Sequence, residues 1–446
     1  MRSWRKTWTA GLPETAALVD RRRRDAHRTE FLFLNVGHFL DHLFLLVFAT
    51  VAALRLTDES GMSYAALIPY ATPVFIAFGI CAIPAGWIAD KWSREGIMSV
   101  FFVGIGASVV FAGMADSLVE IAVSLALIGV FAAIYHPVGL AIVVEGRENT
   151  EMALAINGVF GNMGVATAAL LTGVLIDRTG WCSAYFVPGA VSILIGCFYI
   201  RFILQNHKER ARSVNPAPAP KPAAAAAFPK MVLIRVFAVI FFTTALGGLI
   251  FQSTTFALPK VFDERLVEFA GTATLVGWYA FLVFTIAAFA QLVVGYLIDR
   301  YSVRAIFAFV ALVQAAFFYV IIQSDGLLSL LVAVAFMLAV FGQIPINDVL
   351  VGRMARSEWR RRAYAARYIV TFTVSASAVP LIGWVHGSMG FGALFQLLAA
   401  AAVTISSTRK SSSRSAPTQA RSGRLARSTH SSHARLNSGL VSMSGI

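Results

Sequence analysis

The sequence predicts an all-α membrane protein with twelve transmembrane helices arranged as two pseudo-symmetric six-helix halves. Three observations support this prediction: an apolar composition, recurrent apolar runs long enough to cross a bilayer, and one motif repeated at matched positions. Of the 446 residues, 58% are hydrophobic and 13% are charged, whereas soluble chains have roughly 45–50% apolar and about 25% charged residues. Lipid must therefore solvate much of the surface, and runs of about 18 or more apolar residues indicate helical spans rather than barrel strands.

The first apolar run, at 31–54, follows a basic N-terminal segment. Because it is longer than the core of a cleavable signal peptide, we interpret it as an uncleaved first span. The further predicted spans are 64–89, 96–115, 118–144, 151–176, 182–204, 232–257, 269–298, 304–323, 327–351, 364–385 and 390–405. The predicted regions are a basic N-terminal tail (1–30), a first six-helix half (31–204), a linker (205–230), a second six-helix half (231–405) and a disordered tail (406–446).

Composition distinguishes the linker and the C-terminal tail from the two halves. The stretch 215–228, NPAPAPKPAAAAAF, cannot build a core and favours extended, semi-rigid conformations. The C-terminal tail is rich in Ser and Arg and has no apolar periodicity, which predicts disorder. The twelfth span is short for a hydrocarbon core of roughly 30 Å, so neighbouring helices must shield it or the bilayer must thin around it.

Lys and Arg are distributed unevenly between the two sides of the predicted membrane. With the N-terminus inside, all but four of the 37 Lys and Arg fall on the inner side, the exceptions being Arg55, Arg178, Lys260 and Arg265. The positive-inside rule then predicts that both termini are cytoplasmic in a bacterial inner membrane. Contact of the basic loops with anionic lipid headgroups accounts for the net charge of +14 without a nucleic-acid partner.

A motif of the form GxxxD[RK], followed by a short basic turn, ends spans two and eight on the same predicted side. Its glycine permits close helix approach, and its Asp can cap the N-terminus of a neighbouring helix. Two copies at matched positions indicate parallel six-span repeats. They predict a gating motif formed by Gly86, Asp90, Lys91 and Arg94 in the first half and by Gly295, Asp299, Arg300 and Arg304 in the second.

These paired motifs resemble the loop signature of the major facilitator superfamily, and the resemblance covers about residues 30–400. Within that superfamily, the segments GHFLD (37–41), IYHP (134–137) and GVFGNMG (158–164) are similar to the fosmidomycin-resistance group of drug exporters. The resemblance implies the major facilitator fold, with spans one and four facing a central cavity. It also implies transport of a small molecule.

Ionisable side chains inside the spans are functional candidates, because each costs several kcal/mol in lipid unless it faces water or a partner. Asp41 lies ten residues beyond Phe31, which places it roughly 15 Å deep, near the bilayer midplane. Asn35, His38 and His42 lie on the same face of the predicted helix. With Asp41 they form a set that we call the polar stripe.

Further candidates lie in spans four, five and ten. His136 is roughly 12 Å from the inner end of span four, and it would meet the polar stripe if both spans face the cavity as the resemblance implies. Gln343 and Asn347, four residues apart, are predicted to line the second half of that cavity. Helix packing is predicted at Pro137, Gly158, Gly161 and Gly164.

These candidates also have structural interpretations. His38 and His136 could be histidines satisfied by hydrogen bonds to neighbouring helices, and Asp41 could form a permanent salt bridge with one of its histidines. A His-x-x-Asp-His trio could by geometry bind a transition metal. No further ligand cluster supports such a site, so we predict neither a metal nor another cofactor.

The predicted function is secondary active transport of a small molecule by proton-coupled efflux with alternating access, in which Asp41 and the histidines titrate. The alternatives are an importer of a small metabolite and a non-transporting sensor or scaffold on the same fold. An enzyme is not predicted, because the chain lacks the GxSxG, HExxH and P-loop motifs. The expected partners are the substrate, protons and lipid, and the expected state is a monomer.

The substrate class is only partly constrained by the sequence. No Lys or Arg lies deep in any predicted span, and a site for a strongly anionic phosphate ester would be expected to present such cations. Neutral, weakly acidic or cationic amphipathic substrates therefore fit better.

Overall fold

The computed structural model describes residues 12–145, 147, 149–213, 230–354 and 357–413. The α-helices are α1 (Leu12–Val51), α2 (Thr57–Ser60), α3 (Tyr64–Leu67), α4 (Thr72–Lys91), α5 (Arg94–Gly113), α6 (Leu118–Ala132), α7 (Leu140–Val144), α8 (Thr150–Thr179), α9 (Ser183–Ser213), α10 (Lys230–Arg265), α11 (Ala273–Arg300), α12 (Val303–Ile321), α13 (Gly326–Met354) and α14 (Ser357–Ser413). A 3₁₀ turn (Ile68–Ala71) joins α3 to α4, and π-helical turns lie at Ala52–Leu56 and Tyr135–Gly139.

The helices extend beyond the predicted spans at three places. Helix α1 begins at Leu12, within the predicted N-terminal tail, while α9 continues to Ser213 and α14 to Ser413. The segments added to α1 and α9 are rich in Arg, Ala and Glu, which favour helix, whereas the segment added to α14 consists mainly of Ser. In all three, extending an existing helix avoids the unfavourable nucleation step. The rest of the predicted linker (214–229) and of the predicted C-terminal tail (414–446) lies outside the described residues.

The described residues contain eleven helical stretches that are long and apolar enough to cross a membrane. The last of them, Val370–Ser407, corresponds to two predicted spans. Gly390 separates them with a non-helical backbone conformation, φ 77° and ψ 178°, at which two helices join. Glycine tolerates this positive φ at little cost. The predicted number of twelve spans stays a prediction.

The helices pack as two groups, α1–α9 and α10–α14. In the first group α1 packs along α8, α5 along α9 and α4 along α6. In the second group α11 packs on α13, while α10 and α12 pack on α14. The groups meet mainly where α8 contacts α11 and where α14 contacts α3 and α4.

The two groups approach each other most closely at the end where α8 stops and α11 starts, which we call the opposite end. A Cβ placed on Gly173 would lie 2.2 Å from the carbonyl oxygen of Ala273. On the second contact, a Cβ on Gly387 would lie 2.7 Å from Cβ of Ala65. These distances leave no space between the helices, so the groups are in direct contact at the opposite end.

At the other end, which carries Lys91 and Arg300 and is called the basic end, α8 and α11 present open surfaces. A Cβ on Gly158 or on Gly295 would meet no atom within 4 Å. Nearby apolar side chains are exposed, including Val159 (43%) on α8. In the part of the chain that the structure describes, the two groups are therefore in direct contact at the opposite end, whereas Gly158 and Gly295 at the basic end have open space around them.

Candidate functional site

The polar stripe of α1 is almost completely withdrawn from the surface. Asp41 is 0% exposed, Asn35 is 3% exposed and His38 is 7% exposed, and His42 is half-buried. The i, i+3, i+6 and i+7 spacing places all four side chains on one face of the helix. That face packs on α8 and on the π-helical turn Tyr135–Gly139, so the polar groups must find partners there.

Asp41 has an ionisable neighbour but no hydrogen bond. The Nε2 atom of His136 lies 3.5 Å from Asp41 Oδ2, and neither carboxylate oxygen accepts a hydrogen bond from the described residues. A buried carboxylate without hydrogen bonds is costly in its charged form. Such a group is expected to change its charge or its partner as the protein functions.

His136 reaches Asp41 from the π-helical turn. Pro137 lies in this turn and has no backbone N–H to donate to a helical hydrogen bond, and single π-turns inside helices often occur at functional sites. The turn presents two neighbouring rings to α1: Tyr135 stacks on His38 with ring centroids 4.8 Å apart, and His136 meets the His38 ring edge-on at 5.4 Å.

Two hydrogen bonds fix the tautomers of the α1 histidines. The backbone oxygen of Asn157 lies 2.8 Å from Nδ1 of His38, and because a carbonyl can only accept, Nδ1 of His38 carries a hydrogen. In a neutral His38 the Nε2 atom is then an acceptor. The Nε2–H group of His42 donates to it at 3.1 Å.

Asn157 and Tyr135 complete a buried network that the sequence did not identify. The Asn157 Nδ2 group donates to Asn35 Oδ1 at 2.9 Å and to the Tyr135 hydroxyl at 2.8 Å. The Tyr135 hydroxyl donates to the backbone oxygen of Leu34 at 2.7 Å. Two features of the sequence could have indicated these residues. Asn157 directly precedes the glycine-rich segment of span five, and Tyr135 directly precedes His136.

The glycines of α8 differ in what surrounds them. A Cβ on Gly161 would lie 2.7 Å from the His38 ring, and one on Gly164 would lie 2.2 Å from the backbone oxygen of Phe39. These two positions let α8 approach α1 closely enough for Asn157 to reach the polar stripe. Gly158 was predicted to pack, but a Cβ at this position would meet no atom of the described structure within 4 Å. Pro137 packs against Gly86, because a Cβ on Gly86 would lie 3.3 Å from the Cβ of Pro137.

The three imidazoles are close enough to share one small cation. The ligand atoms of His38, His42 and His136 all lie within 4.8 Å of one another. A metal ion at this place would have to break the hydrogen bond between His42 and His38. A proton could instead be held by His136 or by Asp41 with less rearrangement.

The second-half candidates are described only in part. Gln343 on α13 is buried, 3% exposed, and its Nε2 group has no hydrogen-bond partner among the described residues. The side chain of Asn347 lies outside the described part of the structure. The structure therefore connects neither residue to the polar stripe.

The first gating motif forms an ion-pair cluster at the basic end. Arg94 reaches Asp90 with its Nη2 atom and Glu145 with its Nη1 atom, each at 3.2 Å. Ser93, not Asp90, caps the start of α5 by accepting from the Gly96 N–H. In this conformation Asp90 thus pairs with Arg94 of the same basic turn and does not cap a neighbouring helix of the described structure, and its side chain is 69% exposed.

The second gating motif is likewise exposed. Arg300 donates to the hydroxyl of Tyr296 and lies over its ring, 3.9 Å from the centroid. Lys91, Asp299 and Arg304 are exposed.

Comparison with known proteins identifies relatives of this chain. A probable hexose phosphate transport protein of Chlamydia trachomatis is 26% identical over 153 residues, 34% of this chain and 34% of that protein. The puromycin resistance protein pur8 of Streptomyces alboniger is 30% identical over 132 residues, 28% of this chain and 26% of that protein. The chain therefore spans about a third or less of the length of these curated relatives.

The fold is shared with a solved structure of a bacterial homolog to the human lysosomal transporter Spinster in an inward-facing and occupied conformation. The TM-score is 0.69 at 14% identity, over 86% of this chain and 96% of that one. The model of the family described as Major Facilitator Superfamily matches residues 34–267. The finer resemblance to the fosmidomycin-resistance group stays a prediction. Because the family model covers just over half of the sequence, the chain belongs to the Major Facilitator Superfamily.

Proposed function

We propose that this protein is a secondary active transporter of a small molecule rather than an enzyme. It works by alternating access in a bacterial inner membrane, and it couples efflux to proton entry. The family, the many apolar helices and the fold shared with solved transporters support the general statement. The orientation, the coupling and the direction are parts of the proposal, and the distribution of Lys and Arg supports cytoplasmic termini.

One observation carries the coupling proposal: Asp41, which is fully buried and accepts no hydrogen bond from the described part of the chain, lies 3.5 Å from His136. In the two-helix contact between α1 and the π-helical turn, this carboxylate can be neutralised by its own proton or by a protonated His136. A cationic group of the substrate is a third possibility. Because these partners occupy the same place, binding of one disfavours the others, which is the requirement for exchange of substrate against proton.

The aromatic surroundings support an amphipathic substrate. The ring of Phe78 lies 5.9 Å from that of His136 and 4.3 Å from that of Phe372 in the second group of helices. This contact between the two groups places aromatic rings beside His136, the neighbour of the Asp41 carboxyl group. A neutral or cationic aromatic compound fits this environment better than an anionic sugar phosphate.

Transport by purified protein in liposomes tests this function directly. Puromycin and glucose 6-phosphate are suitable first probes, because relatives named for puromycin resistance and for hexose phosphate transport match part of the chain. With an imposed pH gradient, we expect proton-dependent accumulation of puromycin and little movement of glucose 6-phosphate. Collapse of the gradient with a protonophore should abolish accumulation.

The same assay decides between the proposed function and its alternatives. Accumulation that requires the reversed pH gradient would indicate an importer. If neither probe moves, a wider panel of amphipathic cations and carboxylates should be screened by the proton movement that each causes. Absence of movement for the whole panel in folded protein would favour a sensor or scaffold and contradict the proposal.

A further inference from the structure

A third GxxxDR segment ends α8, but at the opposite end of the bundle from the two gating motifs. It runs from Gly173 to Arg178 with the sequence GVLIDR. Asp177 Oδ2 accepts a hydrogen bond of 2.7 Å from the backbone N–H of Thr274. This bond joins α8 of the first group of helices to the first turn of α11 in the second group.

The contact makes use of the unpaired N–H groups at the start of a helix. The first four N–H groups of any helix lack intrahelical partners, and partial positive charge there favours a carboxylate. On α11, the side chain of Thr272 satisfies one of them by accepting from Leu275 N–H at 3.2 Å. Asp177 satisfies a second one, so α11 is capped both from its own chain segment and from the other group of helices.

Glycines bring the two helices close enough for this bond. A Cβ on Gly173 would lie 2.2 Å from the oxygen and 2.7 Å from the carbonyl carbon of Ala273. One turn further along, a Cβ on Gly277 would lie 2.5 Å from the backbone oxygen of Ala169. Both obstacles are backbone atoms, which cannot move aside as a side chain can. The Asp177 bond therefore exists only while the ends of α8 and α11 are in contact.

We propose that Gly173 and Asp177 form a latch that holds the opposite end of the transporter closed, by capping α11 across the two groups of helices. The inference rests on the alternating-access part of the proposed function. For a pathway to open at the opposite end, the ends of α8 and α11 must separate, and the Asp177 bond must break. The bond therefore stabilises only the state that is closed at the opposite end. A contact present in one state and absent from the other shifts the equilibrium between them.

Distances between spin labels measure this equilibrium without a substrate. Labels at Met114→Cys and Gln323→Cys report on the opposite end, in a background without Cys81, Cys182 and Cys197. Double electron–electron resonance on the full chain in nanodiscs gives the populations of short and long distances. Asp177→Ala should lower the ratio of closed to open states by roughly 3- to 30-fold, the effect expected for loss of a helix cap.

Matched variants separate the latch from unspecific effects. Asp58→Asn removes an exposed carboxylate at the same end and should leave the distances unchanged. Asp177→Asn keeps an acceptor oxygen without the charge and should shift the ratio less than Asp177→Ala. Gly173→Ala should open the same end, whereas Gly271→Ala, where a Cβ would meet no atom within 4 Å, should not.

The outcomes also separate the latch from the proposed function. Wild-type distance distributions in both folded Asp177→Ala and folded Gly173→Ala would overturn the latch, whatever is transported. Shifted distances in a protein that moves no substrate would support the latch and contradict the transport proposal. Size-exclusion profiles identify variants that fail to fold, and Asp177→Asn then takes the place of Asp177→Ala.

Discussion

The Nε2 atom of His136 lies 3.5 Å from Oδ2 of Asp41, although the two residues come from separate helical segments. Asp41 is completely buried, and neither of its oxygens accepts a hydrogen bond from the described residues. A buried carboxylate is stabilised either by protonation or by a cationic partner such as a protonated imidazole. In the proposed mechanism, proton coupling depends on this pair.

Gly161→Ala is expected to disturb the site through His38. The added Cβ would lie 2.7 Å from Cε1 of the ring, so the imidazole must rotate and its hydrogen bond to the Asn157 backbone must lengthen. Overpacking of this kind costs about 1–3 kcal/mol, and we expect a lower apparent unfolding temperature together with slower transport. Gly158→Ala on the same helix is the matched control, because a Cβ there meets open space. Equal unfolding temperatures and equal transport rates for the two variants would show that the contact between Gly161 and His38 does not shape the site.

Asn157→Ala is expected to destabilise the contact between α1 and α8. The change removes the donor to Asn35 and to the Tyr135 hydroxyl, which leaves buried acceptors unsatisfied at a cost of about 1–3 kcal/mol. Thermal unfolding in detergent should detect this loss. Asn206→Ala removes an amide that donates within its own helix, to the backbone oxygen of Phe202, and should have a much smaller effect. A wild-type unfolding curve for Asn157→Ala would show that the network is not structural.

The sequence singled out the polar stripe and His136, but not Asn157 and Tyr135. The residues of the polar stripe share a helix, so their spacing alone predicts that Asn35, His38 and Asp41 face the same way. Asn157 and Tyr135 come from other helices, and their contacts depend on how closely α8 approaches α1. Gly161 and Gly164 permit that approach, but no local pattern states which polar residue will face the gap.

The ends of the bundle show the same limit of sequence-based prediction. The GxxxD[RK] motifs at Asp90 and Asp299 predicted caps across helices, and in this conformation Asp90 pairs with Arg94 instead. A cap of the predicted kind is present at Asp177, at the other end. A motif predicts that a carboxylate can cap a helix, but it does not predict which copy of the motif does so in a given structure.

Cysteines at His38 and His136 should report whether both positions face one aqueous space. In the background without native cysteines, His136→Cys is expected to react with a water-soluble thiol reagent faster than His38→Cys. The reason is that the His136 side chain is 17% exposed and His38 is 7% exposed. A transported compound should slow both reactions. Inaccessibility of both positions under all conditions would favour histidines that are merely satisfied core residues.

Asp90→Ala should make the site more accessible from the basic end. The exposed ion pair between Asp90 and Arg94 stabilises the protein by at most about 1 kcal/mol. A change in accessibility would therefore come from a helix cap that Asp90 forms when the basic end is closed. We expect the labelling rate of the cysteine at position 136 to rise several-fold. Glu145→Gln removes the other partner of Arg94 and should not reproduce the effect. If both variants label at the wild-type rate, Asp90 has no gating role.

The most direct measurement compares wild-type protein and Asp41→Asn in liposomes that carry an imposed pH gradient. Accumulation of the transported probe against its concentration gradient is recorded together with proton movement, reported by an entrapped pH-sensitive dye. Asp58→Asn serves as the matched control. We predict that Asp41→Asn keeps wild-type membrane insertion and downhill movement of the probe but loses uphill accumulation and its proton flux. Uphill accumulation by Asp41→Asn with the wild-type dependence on pH would contradict the central role of Asp41.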